Sequence, residues 1–207
     1  MNPEKDLPES KEKCKICGDT GYYTIKRTDK AEFVTQCICL FKGVKTRLFG
    51  EYFTDKTLDN YEERNESMKI AKETILSDLD KSYYIYGAVG LGKTHILAGI
   101  YEKLYGTGEW LYTKVFTETQ IIDNIKKDGS EFLKDTYTRI VIVDDIGKIK
   151  IADWQAENMY NFFNHIYRTN TQLLISSNYS IAEINNIYGG AITRRIDEMC
   201  HLIEIRR

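Results

Sequence analysis

The sequence predicts an α/β protein with a five-stranded parallel sheet flanked by helices, and three observations support that fold class. Five short strand-like runs alternate with helical patterns between residue 64 and the C-terminus, which is the order expected of crossover connections in a parallel sheet. One run, residues 140–143, is apolar at every position, as in parallel strands buried on both faces. Another run, residues 83–86, leads through a glycine-rich turn into a helical pattern, which is typical of phosphate-binding α/β domains. An α+β domain is the less favoured alternative.

The boundaries of the individual elements follow from hydrophobic periodicity and from turn residues. Strands are predicted at residues 83–86, 110–116, 140–143, 173–176 and 202–205. Helices are predicted at residues 68–79, 94–105, 117–127, 131–137, 153–167 and 192–200. A further helix should begin after Ser180, because Ser180 and Glu183 have the spacing of a capping box.

Composition divides the chain into three segments. Residues 1–12 are polar and charged and are predicted to form a disordered tail. Residues 13–50 contain four of the five cysteines and should form a metal-binding module and a connector. Residues 51–207, which hold all the predicted strands of the parallel sheet, should form the α/β domain.

Charge and hydropathy exclude several classes of protein. The formal net charge is −2, with +3 on residues 1–50 and −5 on the remainder, so bulk charge does not indicate nucleic-acid binding. Any DNA contact would have to come from a local patch or from several subunits placed side by side. No apolar run is long enough to span a membrane, and the charged N-terminus lacks the apolar stretch of a secretory signal. We therefore expect a cytoplasmic protein without a membrane partner, in which cysteines are thiols or metal ligands.

A phosphate-binding loop (P-loop) is predicted directly after the first strand of the sheet. Its pattern is Gly-x-x-x-x-Gly-Lys-Thr, and its residues are Gly87, Ala88, Val89, Gly90, Leu91, Gly92, Lys93 and Thr94. Glycines allow the backbone to wrap closely around phosphate oxygens, whose charge is also favoured by the N-terminus of the next helix. Lys93 would neutralise the β- and γ-phosphates of ATP, and the Thr94 hydroxyl would bind Mg²⁺. The alternative is a chance glycine-rich turn, against which the fit of the whole pattern argues.

Polar residues after three other elements could complete this nucleotide site. Asp144 and Asp145 follow the most apolar strand, which should place Asp144 as an Mg²⁺ ligand and Asp145 as the group that orients the attacking water. Solvated acids are the alternative. Asn178 follows the next strand and could hydrogen-bond the γ-phosphate or the water, or could be an ordinary turn residue. Arg194 and Arg195 are adjacent on a predicted helix, so at most one can point at a given target, and both could be surface residues.

The cysteines near the N-terminus have the spacing of a four-thiolate metal site. Cys14 and Cys17 form one close pair and Cys37 and Cys39 form another, and two such pairs can surround Zn²⁺ tetrahedrally. The intervening residues should form a hairpin-like ribbon, and so small a module would depend on the metal for much of its folding free energy. Free structural cysteines, a redox pair and an iron–sulfur cluster are the alternatives. Cys200 is distant in sequence and is expected to be a buried thiol.

Taken together, these motifs resemble the AAA+ ATPases of the clade that contains the DnaC and DnaI helicase loaders and the IstB transposition ATPases. The resemblance runs from about Cys14 to the C-terminus, and it is carried by the cysteine segment, the acidic motif Asp144-Asp145-Ile146-Gly147, the segment Ser176-Ser177-Asn178 and the run Arg194-Arg195-Ile196-Asp197-Glu198-Met199-Cys200. It implies an AAA+ domain preceded by a small zinc-ribbon-like module. Because the sequence ends soon after the last predicted strand, we expect no C-terminal helical lid.

The resemblance also implies a mechanism and partners. Subunits would self-associate with ATP at their interfaces, and Arg195 would be the arginine finger that reaches the γ-phosphate bound by a neighbouring subunit. A single chain would then hydrolyse ATP slowly. Members of this clade load a replicative DnaB-type helicase onto single-stranded DNA, or remodel DNA for a transposase. The part of this sequence ahead of the ATPase domain is short compared with that of larger loaders, which suggests a loader of phage or mobile-element type in the cytoplasm of a bacterial or phage-infected cell.

Other functions remain open from the sequence. An IstB-like transposition helper would prefer duplex DNA over single strands. An ATP switch that binds and inhibits host replication factors would not need hydrolysis. A small-molecule kinase is the least favoured reading, because an acidic pair with a downstream asparagine suits hydrolysis better.

Overall fold

The computed structural model describes residues 13–26, 32–129, 131–132, 138–149 and 153–207. The tail predicted at residues 1–12 and most of the helix predicted at residues 131–137 lie outside the described residues. The chain forms two compact units, one ending at Thr54 and the other beginning at Asp55. None of the described helices combines the length and the apolar character needed to cross a bilayer.

The smaller unit consists of a two-stranded ribbon followed by a helix. Strands β1 (Tyr22–Lys26) and β2 (Glu32–Gln36) pair antiparallel, as predicted for the hairpin-like segment between the cysteine pairs. Helix α1 (Ile38–Phe49) follows and buries Phe41. This helix was not predicted, because it begins inside the second cysteine pair, where the spacing was attributed to metal binding alone. A short 3₁₀ turn at Glu51–Phe53 comes next.

The larger unit is built on the predicted five-stranded parallel sheet, which confirms the fold class. The strands are β3 (Tyr83–Gly87), β4 (Thr113–Thr117), β5 (Ile140–Ile146), β6 (Gln172–Ser177) and β7 (His201–Ile205). Their spatial order is β4-β5-β6-β3-β7, and every neighbouring pair is parallel. The helices are α2 (Glu66–Ser77), α3 (Lys93–Thr107), α4 (Glu118–Asp128), α5 (Asp153–Thr169), α6 (Ile181–Tyr188) and α7 (Gly190–Met199).

The starts of two of these elements can be compared with the predicted boundaries. The predicted capping box opens α6, because Ser180 and Glu183 each accept a hydrogen bond from the backbone N–H of the other. The strand predicted at residues 110–116 is wrong at its start. Residues Glu109–Tyr112 form a 3₁₀ turn instead, and β4 begins at Thr113.

The centre of the sheet is buried on both faces. Strands β5 and β6 are inaccessible along most of their length, and they pack with an aromatic cluster that includes Phe116, Phe132, Phe162 and Phe163. Burying each such ring contributes about 1.5–3 kcal/mol. Because β5, β6 and β3 are adjacent and parallel, the loops after their carboxyl ends lie side by side at one edge of a rigid sheet.

Candidate functional site

The predicted phosphate-binding loop connects β3 to α3 at the carboxyl edge of the sheet. Gly87, its first residue, has a φ of +146°, and a Cβ atom there would collide with the carbonyl oxygen of Ile205 on β7. Only glycine fits this position. Helix α3 begins at Lys93, so the N–H groups of its first turn are available to a phosphate in the loop.

Two side chains that precede α2 hold this loop from outside. The buried Tyr61 hydroxyl donates to the carbonyl oxygen of Leu91 at 2.8 Å, and the Arg64 guanidinium donates to that of Gly90 at 3.2 Å. Burial raises the pKa of Tyr61 to about 12, so its hydroxyl remains a donor at neutral pH. Neither residue was predicted from the sequence, because no local spacing marks partners that lie 30 and 26 positions away.

The Lys93 ammonium lies at the centre of the predicted site. It donates to the carbonyl oxygens of Gly87 and Ala88 at 2.8 and 2.9 Å and to Oδ1 of Asn178 at 2.8 Å. Burial lowers the pKa of Lys93, while nearby carboxylates act in the opposite direction. A phosphate in the loop would offer this ammonium charged oxygen acceptors in place of its present neutral ones, and such bonds are stronger.

Thr94 and Asp144 form the pair expected of a magnesium site. The Thr94 hydroxyl lies 3.0 and 3.1 Å from the two carboxylate oxygens of Asp144, and the Ser176 hydroxyl donates to Asp144 Oδ1 at 2.5 Å. The pKa of Asp144 is raised, because the effect of burial exceeds that of the hydrogen bonds from Ser176 and Thr94, which act to lower it. A carboxylate and a hydroxyl beside a phosphate loop are ligands that Mg²⁺ accepts, so these residues fit the predicted ion.

Asp145 is held in an uncommon backbone conformation by several partners. Its φ is +65°, which is rare for a residue with a side chain. Its N–H donates to Ser176 Oγ at 2.8 Å, its Oδ1 accepts from Asn178 Nδ2 at 3.2 Å, and its carboxylate also pairs with Lys148. Asn178 therefore joins Asp145 to Lys93. Lys148 was not predicted, although its position three residues after Asp145 is a spacing that could have indicated the pair.

The two arginines of α7 have different environments. The Arg194 side chain is 77% exposed and lies 2.7 Å from Glu198, whereas the Arg195 side chain is 26% exposed. The Arg195 guanidinium lies 4.3 Å from the ring centre of Tyr167 on α5 and 3.2 Å from Glu198. The structure thus brings the other predicted nucleotide residues together in one cluster. Both arginines contact Glu198 on their own helix α7, and Arg195 also contacts Tyr167 on α5. The roles of all these residues stay predictions.

The four N-terminal cysteines converge. Their sulfur atoms all lie within 4.8 Å of one another, with 3.7 Å between Cys14 and Cys37 and 3.2 Å between Cys17 and Cys39. Sulfurs placed tetrahedrally at about 2.3 Å from a zinc ion lie about 3.8 Å apart, so the cluster could hold a metal ion. Partial burial opposes ionisation of Cys17, but hydrogen bonds from Cys39 and other neighbours lower its pKa to about 6. The same hydrogen bond raises the pKa of Cys39, so this pair favours one thiolate and one thiol. A metal ion would have to displace the remaining proton, because the thiolate is the form that binds metals.

The part of the chain that carries the nucleotide site matches a known protein family. Residues 53–196 match the family described as the bacterial DnaA ATPase domain, and this range is more than half of the 207 residues. The chain belongs to the bacterial DnaA ATPase domain family. Membership confirms the predicted ATPase domain and its nucleotide, ATP. The motifs in the sequence had pointed to helicase loaders, and the solved structures with a similar fold include DnaC and DnaI.

Relatives of this DnaA-family chain share different portions of it. The chromosomal replication initiator protein DnaA of Thermoanaerobacter sp. (strain X514) is 34% identical over 113 residues, which cover 49% of this chain and 24% of that protein. The chain therefore spans about a quarter of the length of the DnaA relatives it matches. The phage-like element PBSX protein XkdC of Bacillus subtilis (strain 168) is 26% identical over 215 residues, which cover 90% of this chain and 79% of XkdC.

Solved structures with a similar fold include a helicase loader and DnaA itself. The DnaC helicase loader has a TM-score of 0.66 at 23% identity, and the match covers 75% of this chain and 99% of that one. A DnaA replication initiator bound to AMPPCP and single-stranded DNA has a TM-score of 0.61 at 21% identity, covering 72% of this chain and 49% of that one. At these identities the likeness concerns the fold alone, and it confirms the AAA+ fold of this DnaA-family domain.

Proposed function

We propose that this chain is an ATP-dependent loader of a replicative DnaB-type helicase onto single-stranded DNA, acting as a nucleotide-regulated oligomer. The observation that carries the proposal is that the match to the DnaC helicase loader covers 99% of that chain. The structural matches to two DnaA chains cover only 50% and 49% of those chains. The DnaA structure that holds single-stranded DNA supports the DNA partner. XkdC, which matches over most of both chains, supports a phage-type protein of the bacterial cytoplasm.

The side chains of the nucleotide cluster would divide the work of ATP hydrolysis. Lys93 would bind the β- and γ-phosphates, and Thr94 and Asp144 would hold Mg²⁺, which neutralises phosphate charge when bound. Asp145 would polarise the attacking water. Asn178, which already contacts both Lys93 and Asp145, would orient that water and the γ-phosphate relative to the two charged groups.

Arg195 would complete the site from a neighbouring subunit. Its contacts with Tyr167 and Glu198 restrict the direction of the guanidinium. An arginine delivered in trans stabilises the charge that develops on the transferred phosphoryl group. Hydrolysis would therefore be slow in a single chain and faster in the oligomer, so that the nucleotide state depends on assembly.

The cysteine cluster would hold Zn²⁺ in the smaller unit. Cys14, Cys17, Cys37 and Cys39 supply four sulfurs at distances that suit one tetrahedral ion. The described residues of this unit bury few apolar side chains, of which Phe41 is the largest. Metal binding would therefore contribute much of the free energy that keeps this unit folded.

Helicase loading onto circular single-stranded DNA coated with a single-strand-binding protein tests the loader proposal. A purified bacterial replicative helicase should be deposited on the circle only when this chain and ATP are both present. The Lys93→Ala chain should not support loading. Lys103→Ala is the matched control, because it removes a lysine that pairs with Asp59 at 3.0 Å outside the nucleotide cluster.

Two other outcomes would redirect the proposal. Failure to bind or load the helicase, together with intact ATP hydrolysis, would refute the loader function. A strong preference for duplex DNA would then indicate an IstB-like transposition helper. If this chain instead suppresses the loading that the helicase's own loader carries out, it would be an inhibitory ATP switch.

A further inference from the structure

A buried carboxylate outside the nucleotide cluster holds the loop that follows the acidic motif. Glu118 is the first residue of α4 and is only 2% exposed. Its Oε2 accepts from the backbone N–H groups of Lys148 and Ile149 at 2.9 and 3.2 Å, and its Oε1 accepts from the hydroxyl of Tyr188. The chemistry proposed above makes no use of this carboxylate, although its hydrogen bonds end only a few residues from Asp145.

Tyr188 extends the same network to the start of that loop. It is the last residue of α6 and is also buried. Its hydroxyl oxygen accepts from the N–H of Gly147 at 2.9 Å, while its proton is donated to Glu118. The three consecutive backbone N–H groups of residues 147 to 149 are therefore held by Glu118, two directly and one through Tyr188. Successive N–H groups that converge in this way form an anion nest, which this chain fills with its own carboxylate.

The loop needs this support because the sheet does not fix its conformation. The pairing of β5 with β6 shifts in register between Val143 and Ile146, so Asp145 lies where the ladder is irregular. Asp145 and Gly147 have φ values of +65° and +93°, and a Cβ atom at Gly147 would lie 2.7 Å from Ile184 Cδ1 on α6. Backbone in such conformations persists only where its surroundings hold it.

An incomplete network would be costly. Burial raises the pKa of Glu118, and the hydrogen bonds from Tyr188 and from the two backbone N–H groups act against that shift. A buried polar group that loses a partner keeps the penalty of its removal from water. The loop and the carboxylate therefore stabilise each other, and loss of one hydrogen bond should loosen the others.

We propose that Glu118 and Tyr188 are positioning residues for ATP hydrolysis, which fix the loop at residues 147–149 and thereby the direction of the Asp145 carboxylate. This inference rests on the proposed mechanism, in which Asp145 acts on the attacking water. A single residue connects Glu118 to Asp145. Lys148 donates its backbone N–H to Glu118, and the Lys148 side chain pairs with Asp145. Loss of the network should leave ATP bound by the phosphate loop but misplace the catalytic carboxylate.

Tyr188→Phe tests the inference, with Tyr83→Phe as a matched control. Each substitution removes one buried hydroxyl that contacts two polar groups. The Tyr83 hydroxyl contacts the carbonyl oxygens of Asp78 and Thr74 at 2.7 and 3.3 Å, at the amino end of the sheet. In steady-state ATP hydrolysis, Tyr188→Phe should lower kcat about tenfold or more while KM changes less than about twofold. Tyr83→Phe should lower the Tm less, because it leaves no buried carboxylate without a partner, and it should keep the parent kcat.

Glu118→Gln provides a second variant that keeps one oxygen for the backbone N–H groups. Its kcat should lie between those of the parent and Tyr188→Phe, and it decides the question if Tyr188→Phe does not fold. A kcat within about twofold of the parent in the folded variant, or an equal fall in Tyr83→Phe, would overturn the positioning role. Absence of turnover by the parent chain would instead refute the proposed mechanism of hydrolysis, on which the role depends.

Discussion

The nucleotide cluster and the cysteine cluster are built on different principles within one chain. The nucleotide cluster draws on loops that follow three adjacent strands, and hydrogen bonds already join Lys93 to Asn178, Asn178 to Asp145, and Thr94 to Asp144. The cysteine cluster draws on two short segments that flank a two-stranded ribbon. The first site is held by a buried sheet, whereas the second lies in a unit whose described residues bury few apolar side chains.

This difference implies opposite responses to the loss of a bound ion. A site supported by a large apolar core keeps its geometry without a ligand, because burial of the core, and not the bound ion, supplies the free energy of folding. A two-stranded ribbon is only marginally stable in water without further support. Loss of Mg²⁺ should therefore stop hydrolysis and leave the fold intact, whereas loss of Zn²⁺ should unfold the smaller unit.

The largest effect is expected from breaking the cysteine cluster. Cys37→Ser removes one of the four sulfurs and should release zinc and unfold the smaller unit, because structural zinc contributes on the order of 10 kcal/mol in small sites. Zinc content and limited proteolysis of the full chain would measure both outcomes. Cys200→Ser changes a buried thiol outside the cluster and should retain the metal. Full zinc retention by Cys37→Ser would contradict the four-thiolate site.

The next effect is the loss of nucleotide binding in Lys93→Ala. The substitution removes the cation that would face the β- and γ-phosphates, and it should weaken ATP binding by about 100-fold or more. Titration with a fluorescent ATP analogue measures this change, and Lys103→Ala should bind like the parent. Zinc content should not change in either variant. An affinity for ATP within a few-fold of the parent in Lys93→Ala would show that Lys93 is not the phosphate ligand.

The sequence indicated the parts of both clusters that are local in the chain. The cysteine pairs are recognisable because each pair lies within a few residues. The phosphate loop and the acids Asp144 and Asp145 are recognisable because each directly follows a strand-like run. Asn178 was recognised as a candidate for the same reason, and the sheet order β5-β6-β3 explains why it meets Lys93.

The parts that were missed depend on long-range contacts. Tyr61 contacts the phosphate loop from 30 positions away, and Tyr188 meets Glu118 across 70 positions. No local pattern distinguishes Glu118 from a solvated acid at a helix start, and only the packing of α4, α6 and the loop after β5 buries it. The strand predicted to begin at Trp110 likewise starts too early, because this buried residue belongs to a 3₁₀ turn.

Asp145→Asn should separate binding from hydrolysis. Asparagine tolerates positive φ, so the value of +65° at this position should be kept and ATP affinity should be retained. The kcat should fall about 100-fold, because the amide cannot accept the proton of the attacking water. Single-turnover hydrolysis measures this step. Asp144→Asn should instead raise the Mg²⁺ concentration required, and a parent-like kcat in Asp145→Asn would remove Asp145 from the mechanism.

Arg195→Ala should have the smallest effect, and only where chains assemble. At low protein concentration its turnover should match that of the parent within about twofold. At high concentration the turnover of the parent should rise about tenfold, whereas that of the variant should not rise. This is less than a fully engaged arginine finger supplies, because assembly without partners is only partial. Turnover measured against protein concentration tests this, well below the Tm, since the variant also loses the cation–π contact with Tyr167.

Arg194→Ala is the control, because Arg194 is more exposed and pairs with the same Glu198. It should keep the dependence of turnover on concentration. Loss of that dependence in Arg194→Ala alone would transfer the role to Arg194, and its retention in both variants would exclude an arginine of this pair acting in trans. Zinc content should stay constant throughout, because all four cysteine ligands come from one chain. The nucleotide cluster would then be sufficient for binding within one chain but complete for rapid hydrolysis only between chains.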